Sequence, residues 1–282
     1  MVLLDKKEYD KVIEPLRKVT FNNLFAQFVV EKHVEGYVYV DDPKKPGSFL
    51  IAHPYGMSLL FGKCDNEEFN SSFCEYALNI PKKREKSEWL QVFPDTWDSK
   101  IEVMLAHNLI KSKDNVKNDK SKIEVNTRVN FKFNREKYRK LKNEKKTSDY
   151  KILQTDKEMF EKMNGSVVPK HFWNNNEDFL KSGIGFTLFY QGNIASTAFS
   201  AFILDTYLEL GIETVEVNRG KGLAEQACSA LIDYCLNNNY EPVWSCRLEN
   251  AGSCKLAQKL GFEPTLFIPY YKLCEMSCLK KR

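Results

Sequence analysis

The second half of the chain changes its apolar period several times, and each change marks an element. Leu208-Glu-Leu-Gly-Ile-Glu-Thr-Val-Glu-Val217 partly alternates and is rich in β-branched residues, which predicts a strand over 207–217. Leu223, Ala227, Ala230, Leu231 and Tyr234 then recur on one helical face, and Asn237-Asn238-Asn239 stops that helix. Pro242-Val-Trp-Ser-Cys-Arg247 reads as a short buried strand. Asn250 suits the N-cap of a second helix over Ser253–Leu260, and Gly261 suits its C′ stop. Upstream, Tyr150–Gln154 predicts a first strand, with helical segments at Lys157–Met163 and Glu177–Leu180. Gly185–Tyr190 and Ile194–Leu204 flank Gln191-Gly-Asn193 as a hairpin.

The first half reads as its own α/β unit, giving expected domains of 1–130 and 131–282. A helical pattern covers Lys6 to Val30 with a break near Pro15. Gly36–Val40, Phe49–His53 and Met57–Phe61 predict an antiparallel meander, punctuated by Pro43, Pro46-Gly47 and Pro54-Tyr-Gly56. A helix near Glu67–Leu78, a strand at Trp89–Phe93 and a helix at Trp97–Ala106 follow. This order repeats that of the second half and suggests a degenerate second copy of one core; the alternative is an unrelated α/β cap.

Between the 207–217 strand and the 223–237 helix lies Arg219-Gly220-Lys221-Gly222-Leu223-Ala224. A glycine turn that opens a helix presents free backbone N–H groups to an anion, and Arg219 and Lys221 add positive charge. The glycines let a ligand approach the backbone closely. A pyrophosphate fits that description.

This hexapeptide and Asn250-Ala-Gly-Ser-Cys-Lys-Leu-Ala-Gln-Lys-Leu-Gly-Phe262 resemble two motifs of the GNAT superfamily of acyl-CoA N-acyltransferases. The first is similar to its pyrophosphate loop. The second is similar to its Asn-x-x-Ser/Ala-x-x-Leu-x-x-Lys-x-Gly-Phe helix. The resemblance covers roughly residues 131–275. It implies an α/β (α+β) fold with a mixed sheet that splays between 207–217 and 242–247, flanked by helices. It implies acetyl-CoA as cosubstrate and direct transfer to an amine, here that of a small molecule; no metal is expected, because none of the four histidines pairs closely with a cysteine. Arg219, Gly220, Lys221, Gly222, Leu223, Ala224, Asn250 and Ser253 become cofactor-binding candidates, and Val215 and Val217 candidates for main-chain bonds to pantetheine.

An alkylamine with a pKa near 10 is mostly protonated at neutral pH, so the reaction needs a base. Glu213 and Glu209 are the candidates, ahead of Glu216; a spacing of four puts Glu209 and Glu213 on one sheet face unless a bulge intervenes. One position departs from the superfamily. Ala257 stands where many members carry a Tyr that protonates the leaving thiolate. Ser253, Cys254, Tyr270, Tyr271 or water would then serve, and Ala257 would leave room for a bulky acceptor. His53 before Pro54 reads as a turn residue rather than a catalytic one, and the aromatics around His171-Phe-Trp173 as core rather than an acceptor wall.

Composition narrows the rest. At 43% hydrophobic and 28% charged, the 282 residues are ordinary for a globular protein. No charged leader precedes an apolar stretch and no apolar run reaches membrane length, which leads to an expected cytoplasmic location. Eight cysteines without a Cys-x-x-Cys pair read as reduced, largely buried thiols. From Lys111 to Lys146 the chain holds 14 basic and 5 acidic residues, a local net of +9 against +4 overall. This stretch reads first as a solvated loop and helix face. It keeps a nucleic-acid-binding module open as a third function class, behind an acetyltransferase and a CoA-binding protein without catalysis.

Overall fold

The computed structural model describes residues 1–80, 84, 86–111, 119–142 and 150–275. The chain divides into two compact units. The first holds Met1–Arg128, Arg247–Glu249 and the chain from Phe267; the second holds Val129–Cys246 and Asn250–Leu266.

The first unit opens with a short strand β1 (Val2–Leu3), then helices α1 (Asp10–Leu16) and α2 (Leu24–Val30). The helical pattern over Lys6 to Val30 is thus broken into two helices, with the break just after Pro15. Pro15 offers no N–H, and α1 ends one residue later. Strands β2 (Tyr37–Val40), β3 (Ser48–His53) and β4 (Met57–Gly62) form the expected antiparallel meander, with β1 on its outer edge. Helix α3 (Glu67–Ala77) buries Phe69, Phe73 and Ala77, which share a face at spacings of four. Strand β5 (Trp89–Phe93) returns parallel to β4, and α4 (Thr96–Leu105) follows. Trp97 of α4 is fully buried and gives its indole N–H to the Gly62 carbonyl at 3.0 Å. A short strand that the periodicity did not predict, β6 (Leu109–Lys111), pairs in parallel with β7 (Ile123–Phe133).

His53 ends β3 at 3% exposure, its Nδ1 accepting from the Tyr55 N–H at 3.1 Å. It is a turn residue, as its place before Pro54 suggests. Burial holds its pKa down at about 3. Its unfolded value is near 6.5, so below that pH the unfolded chain binds a proton that the folded chain refuses. Stability from this residue is whole above about pH 6.5 and declines toward pH 3, by up to about 1.4 kcal/mol per pH unit. Urea melts should show a shallower decline between pH 6.5 and 4 for His53→Gln than for wild type; parallel curves would rule the residue out as a source of acid sensitivity.

The second unit continues from β7 through α5 (Arg135–Leu141), β8 (Tyr150–Gln154), α6 (Lys157–Lys162) and α7 (Asn176–Ser182). Strands β9 (Gly185–Tyr190), β10 (Asn193–Leu204) and β11 (Tyr207–Thr214) extend β8 as an antiparallel set. Helix α8 (Leu223–Asn237) leads to β12 (Glu241–Arg247), parallel to β11. Helix α9 (Ala251–Lys259) and β13 (Phe262–Lys272) complete the order, and the last residues of β13 pair with β5 in the first unit. The core packs Leu208 and Leu210 against Leu223, Ala227, Leu231 and Trp244. The strand predicted over 207–217 stops at Thr214. Asn218 and Arg219 turn their N–H groups back to the carbonyls of Val215 and Glu216, making one 3-10 turn.

Each unit therefore has a mixed sheet with flanking helices, and the two share an element order. A strand and two helices precede three strands, then a helix, a parallel strand and a further helix. The pairing along this shared order is the same: three antiparallel contacts followed by one parallel contact. The units differ at the parallel contact. In the first, β4 and β5 stay in register over five pairs, Met57↔Trp89 to Phe61↔Phe93. In the second, β11 and β12 pair over three, Tyr207↔Glu241 to Glu209↔Val243, and among the described residues the ladder ends there. The sheet of the second unit is splayed from Glu209 onward.

Candidate active site

Gly220 and Gly222 adopt φ of +79° and +80°, a left-handed backbone that glycine takes without a Cβ penalty. Gly222 is the residue at which α8 begins, and no side chain among the described residues caps that end. A Cβ built on either glycine would meet nothing within 4 Å. The turn that opens this 15-residue helix, whose first-turn N–H groups lack intrahelical partners, is thus open beside both glycines. Leu223 is buried and fixes the turn to the core, while Ala224 is half-buried. Lys221 bonds the Asn218 side chain at 2.9 Å and lies 5.1 Å from the centre of the Tyr190 ring. Arg219 is mostly exposed and gives Nε to the Thr214 carbonyl at 3.2 Å. An open, cationic helix start with room on its outer side suits the diphosphate that the resemblance implies.

The splay exposes main chain, though not all of the groups expected. Val215 N–H is already bonded to the Ala195 carbonyl at 2.9 Å, and its carbonyl accepts from Asn218 N–H at 2.8 Å. This corrects the expectation for Val215: its N–H serves β10. Antiparallel pairing alternates edges along a strand, so Ile212 and Thr214 present their main chain toward the β12 side. The Thr214 carbonyl accordingly meets Arg219 rather than β10. Val217 lies in the 3-10 turn at 77% exposure.

Glu209 and Glu213 share one sheet face, since the irregularity at Ser200/Phe202 lies in β10 and leaves the alternation of β11 intact. Gly211 lies between them, and a Cβ there would run into the Phe199 ring. Glu209 is 5% exposed, at the last pair before the strands part, and its Oε1 accepts from the Ser245 hydroxyl at 3.1 Å. Glu213 is held differently. Its Oε2 accepts from the N–H groups of Ser166 at 2.9 Å and Val167 at 3.0 Å, and its Oε1 from Arg219 at 3.4 Å. Ser245 was not anticipated. Alternation along β12, counted from buried Trp244, is the signal that would have placed it opposite the core.

Asn250 caps α9 as predicted, accepting from Ser253 N–H at 3.1 Å. The Ser253 hydroxyl accepts from the Trp244 indole at 3.2 Å. Ala257 is fully buried with Leu223 and Ala227, so it opens no space for an acceptor, contrary to expectation. Trp173 is buried and bonds the Ser200 carbonyl at 2.9 Å, while Phe172 packs between Phe199 and Phe202; these aromatics are core. In the first unit, Tyr271 gives its hydroxyl to Asp98 at 2.7 Å and Tyr270 stacks on Trp89. The seven described cysteines are free thiols, with Cys235 pushed up to about 12 by burial; Cys278 lies outside the described residues. Of the basic stretch, 112–118 and 143–146 lie outside the described residues, while Lys137 pairs with Glu263 and Lys142 with Asp233. Among the described residues no group of three His, Cys, Asp or Glu is placed to hold a metal, and no helix is long and apolar enough to cross a membrane.

Comparison with known proteins bears on the whole chain. The profile of the GNAT acetyltransferase family matches residues 15–270. The uncharacterized N-acetyltransferase YdfB of Bacillus subtilis (strain 168) is 27% identical over 273 residues, 95% of this chain and 97% of that one. A crystal structure of a GCN5-related N-acetyltransferase-like protein from Streptococcus suis 89/1591 superposes with a TM-score of 0.70 at 21% identity, over 95% of this chain and 98% of that one. A tandem GNAT protein from the clavulanic acid biosynthesis pathway superposes with a TM-score of 0.62 at 10% identity, over 98% of both chains. With a family match that spans nearly the full length and includes the splayed strands and the glycine turn, the chain belongs to the GNAT acetyltransferase family and is an acyltransferase.

Proposed function

We propose that this protein transfers an acetyl group from acetyl-CoA to the amine of a small molecule, by direct attack and without an acyl-enzyme. The observation that carries the proposal is the conjunction of parted strands β11 and β12 with an open glycine turn at the start of α8. Acetyl-CoA, when bound, supplies an activated thioester. The N–H groups from Gly220 to Ala224, with Arg219 and Lys221, would hold its diphosphate. Main chain of Ile212 on β11, with Val217 beyond, would bond its pantetheine arm as an added strand does. Glu209 takes the ammonium proton: it stands at the last β11–β12 pair before the strands part, 5% exposed and with Ser245 donating to its Oε1, whereas Glu213 is occupied by loop donors. The Ser253 hydroxyl accepts from Trp244 and can donate a hydrogen bond to the departing thiolate, which takes its proton from the nitrogen of the collapsing intermediate. Asn250 acts on the cofactor through the helix it caps. Residues 164–173 cover the face that carries Gly211 and Glu213, which favours a compact amine over an extended peptide.

The first unit is, on this proposal, a second copy of the same core that does not take cofactor. Its strands β4 and β5 stay zipped, and Asn66 fills the start of α3 by accepting from Phe69 N–H at 3.1 Å. Calorimetric titration should therefore give one acetyl-CoA per chain; two equivalent sites would refute the closed copy. The function itself is tested by thiol release from acetyl-CoA across a panel of primary amines, with acetylated product identified by mass. Tight cofactor binding with no amine turned over would replace the proposal with a CoA-binding protein without catalysis.

A further inference from the structure

Glu213 holds more partners than a base requires, and they come from two segments. Its Oε2 receives the Ser166 N–H, the Val167 N–H and, at 3.4 Å, the Ser166 hydroxyl. Its Oε1 receives Thr214 N–H at 3.2 Å and Arg219 Nη2 at 3.4 Å. The carboxylate side chain is 13% exposed, whereas that of Arg219 is 61% exposed. Gly165 takes φ +151°, and a Cβ there would collide with the Glu213 carboxylate, so glycine is what lets the loop backbone close onto it. His171 Nδ1 reaches the Ser166 carbonyl at 3.3 Å and continues the same segment. Two directed backbone N–H groups on one charged oxygen are the stronger kind of hydrogen bond. Taking up a proton at Oε2 would break them.

We infer that Glu213 is a positioning residue that ties the acceptor-side segment 165–171 to the cofactor turn through Arg219. The inference rests on the proposed cofactor site. Arg219 is the exposed member of the cluster, and its contact with Glu213 is longer than those of the Ser166 and Val167 N–H groups. An anion at the turn draws the guanidinium away, because a diphosphate offers more charge than one carboxylate. Glu213 then carries an unshared negative charge, and its hold on Ser166 and Val167 tightens. Cofactor binding thereby orders the acceptor segment.

Hydrogen exchange of peptides covering 164–171 tests this without an identified acceptor. In wild type, protection should be present without cofactor and should rise on adding acetyl-CoA. Glu213→Gln keeps an oxygen for both N–H groups and should retain the basal protection but lose the increment. Glu213→Ala should lose both. Once an accepted amine is found, Glu213→Gln should raise KM for it with kcat and its pH profile little changed. Calorimetry on the same variants should leave acetyl-CoA affinity within about tenfold of wild type, which separates loss of the tether from loss of the cofactor site. Unaltered exchange in Glu213→Ala would overturn the tether. A wild-type increment that survives in Glu213→Gln, or is absent although acetyl-CoA binds, would overturn the coupling. A rate loss in Glu213→Gln that disappears at alkaline pH would assign the residue as a base instead.

Discussion

Gly222→Glu abolishes acetyl-CoA binding, with an expected calorimetric loss of at least about 1,000-fold, near 4 kcal/mol. Two effects combine. The backbone at 222 has φ +80°, where a residue with a Cβ is strained by about 1–2 kcal/mol. The larger effect is electrostatic: a carboxylate at the start of α8 takes the favourable end of the helix dipole and repels a diphosphate brought to the same N–H groups. The fold should survive, because a Cβ at 222 meets no protein atom within 4 Å. Gly222→Ala carries the strain without the charge and should lose only about tenfold. If the two variants bound alike, strain rather than anion recognition would account for the loss. If Gly222→Glu bound acetyl-CoA as wild type does, the turn would not be the phosphate site.

Glu209→Gln is the second large effect, an expected fall in kcat of about 100- to 10,000-fold at neutral pH. The amide keeps the shape and the bond from Ser245 but cannot accept a proton to become neutral. The loss should shrink as pH rises toward 10, because an alkylamine is then increasingly deprotonated in solution and needs no base. An equal loss at pH 7 and pH 10 would make Glu209 a positioning residue. Glu213→Gln, in contrast, should show no such slope. The pair of profiles separates two acids that stand four apart on one face of β11 and differ only in what surrounds them.

That difference explains what could be read from the chain and what could not. The turn at 219–224 was legible because a glycine-rich break between two periodic segments is a local signal, and local backbone chemistry decides it. The cap at Asn250 and the common face of Glu209 and Glu213 were legible for the same reason. The roles of the two acids were not. The donors to Glu213 come from Ser166 and Val167, more than 40 residues away, and no spacing within β11 reports them. The edge that Val215 faces was not legible either. Its side chain suits a strand, but which edge its N–H serves depends on the register with Ala195. Ala257 looked like vacated space, yet a small residue in a helix is as readily a close-packing position, and full burial within the core of the second unit makes it one. The order of elements in the first half was readable from periodicity, while the closure of β4 on β5 depends on pairing across α3.

Crystals grown with acetyl-CoA give the most direct measurement. The account predicts density for the diphosphate against the backbone N–H groups between Gly220 and Ala224, with the pantetheine arm running between β11 and β12 past Ile212. Diphosphate density against any other surface, with the 219–224 turn left bare, would contradict it.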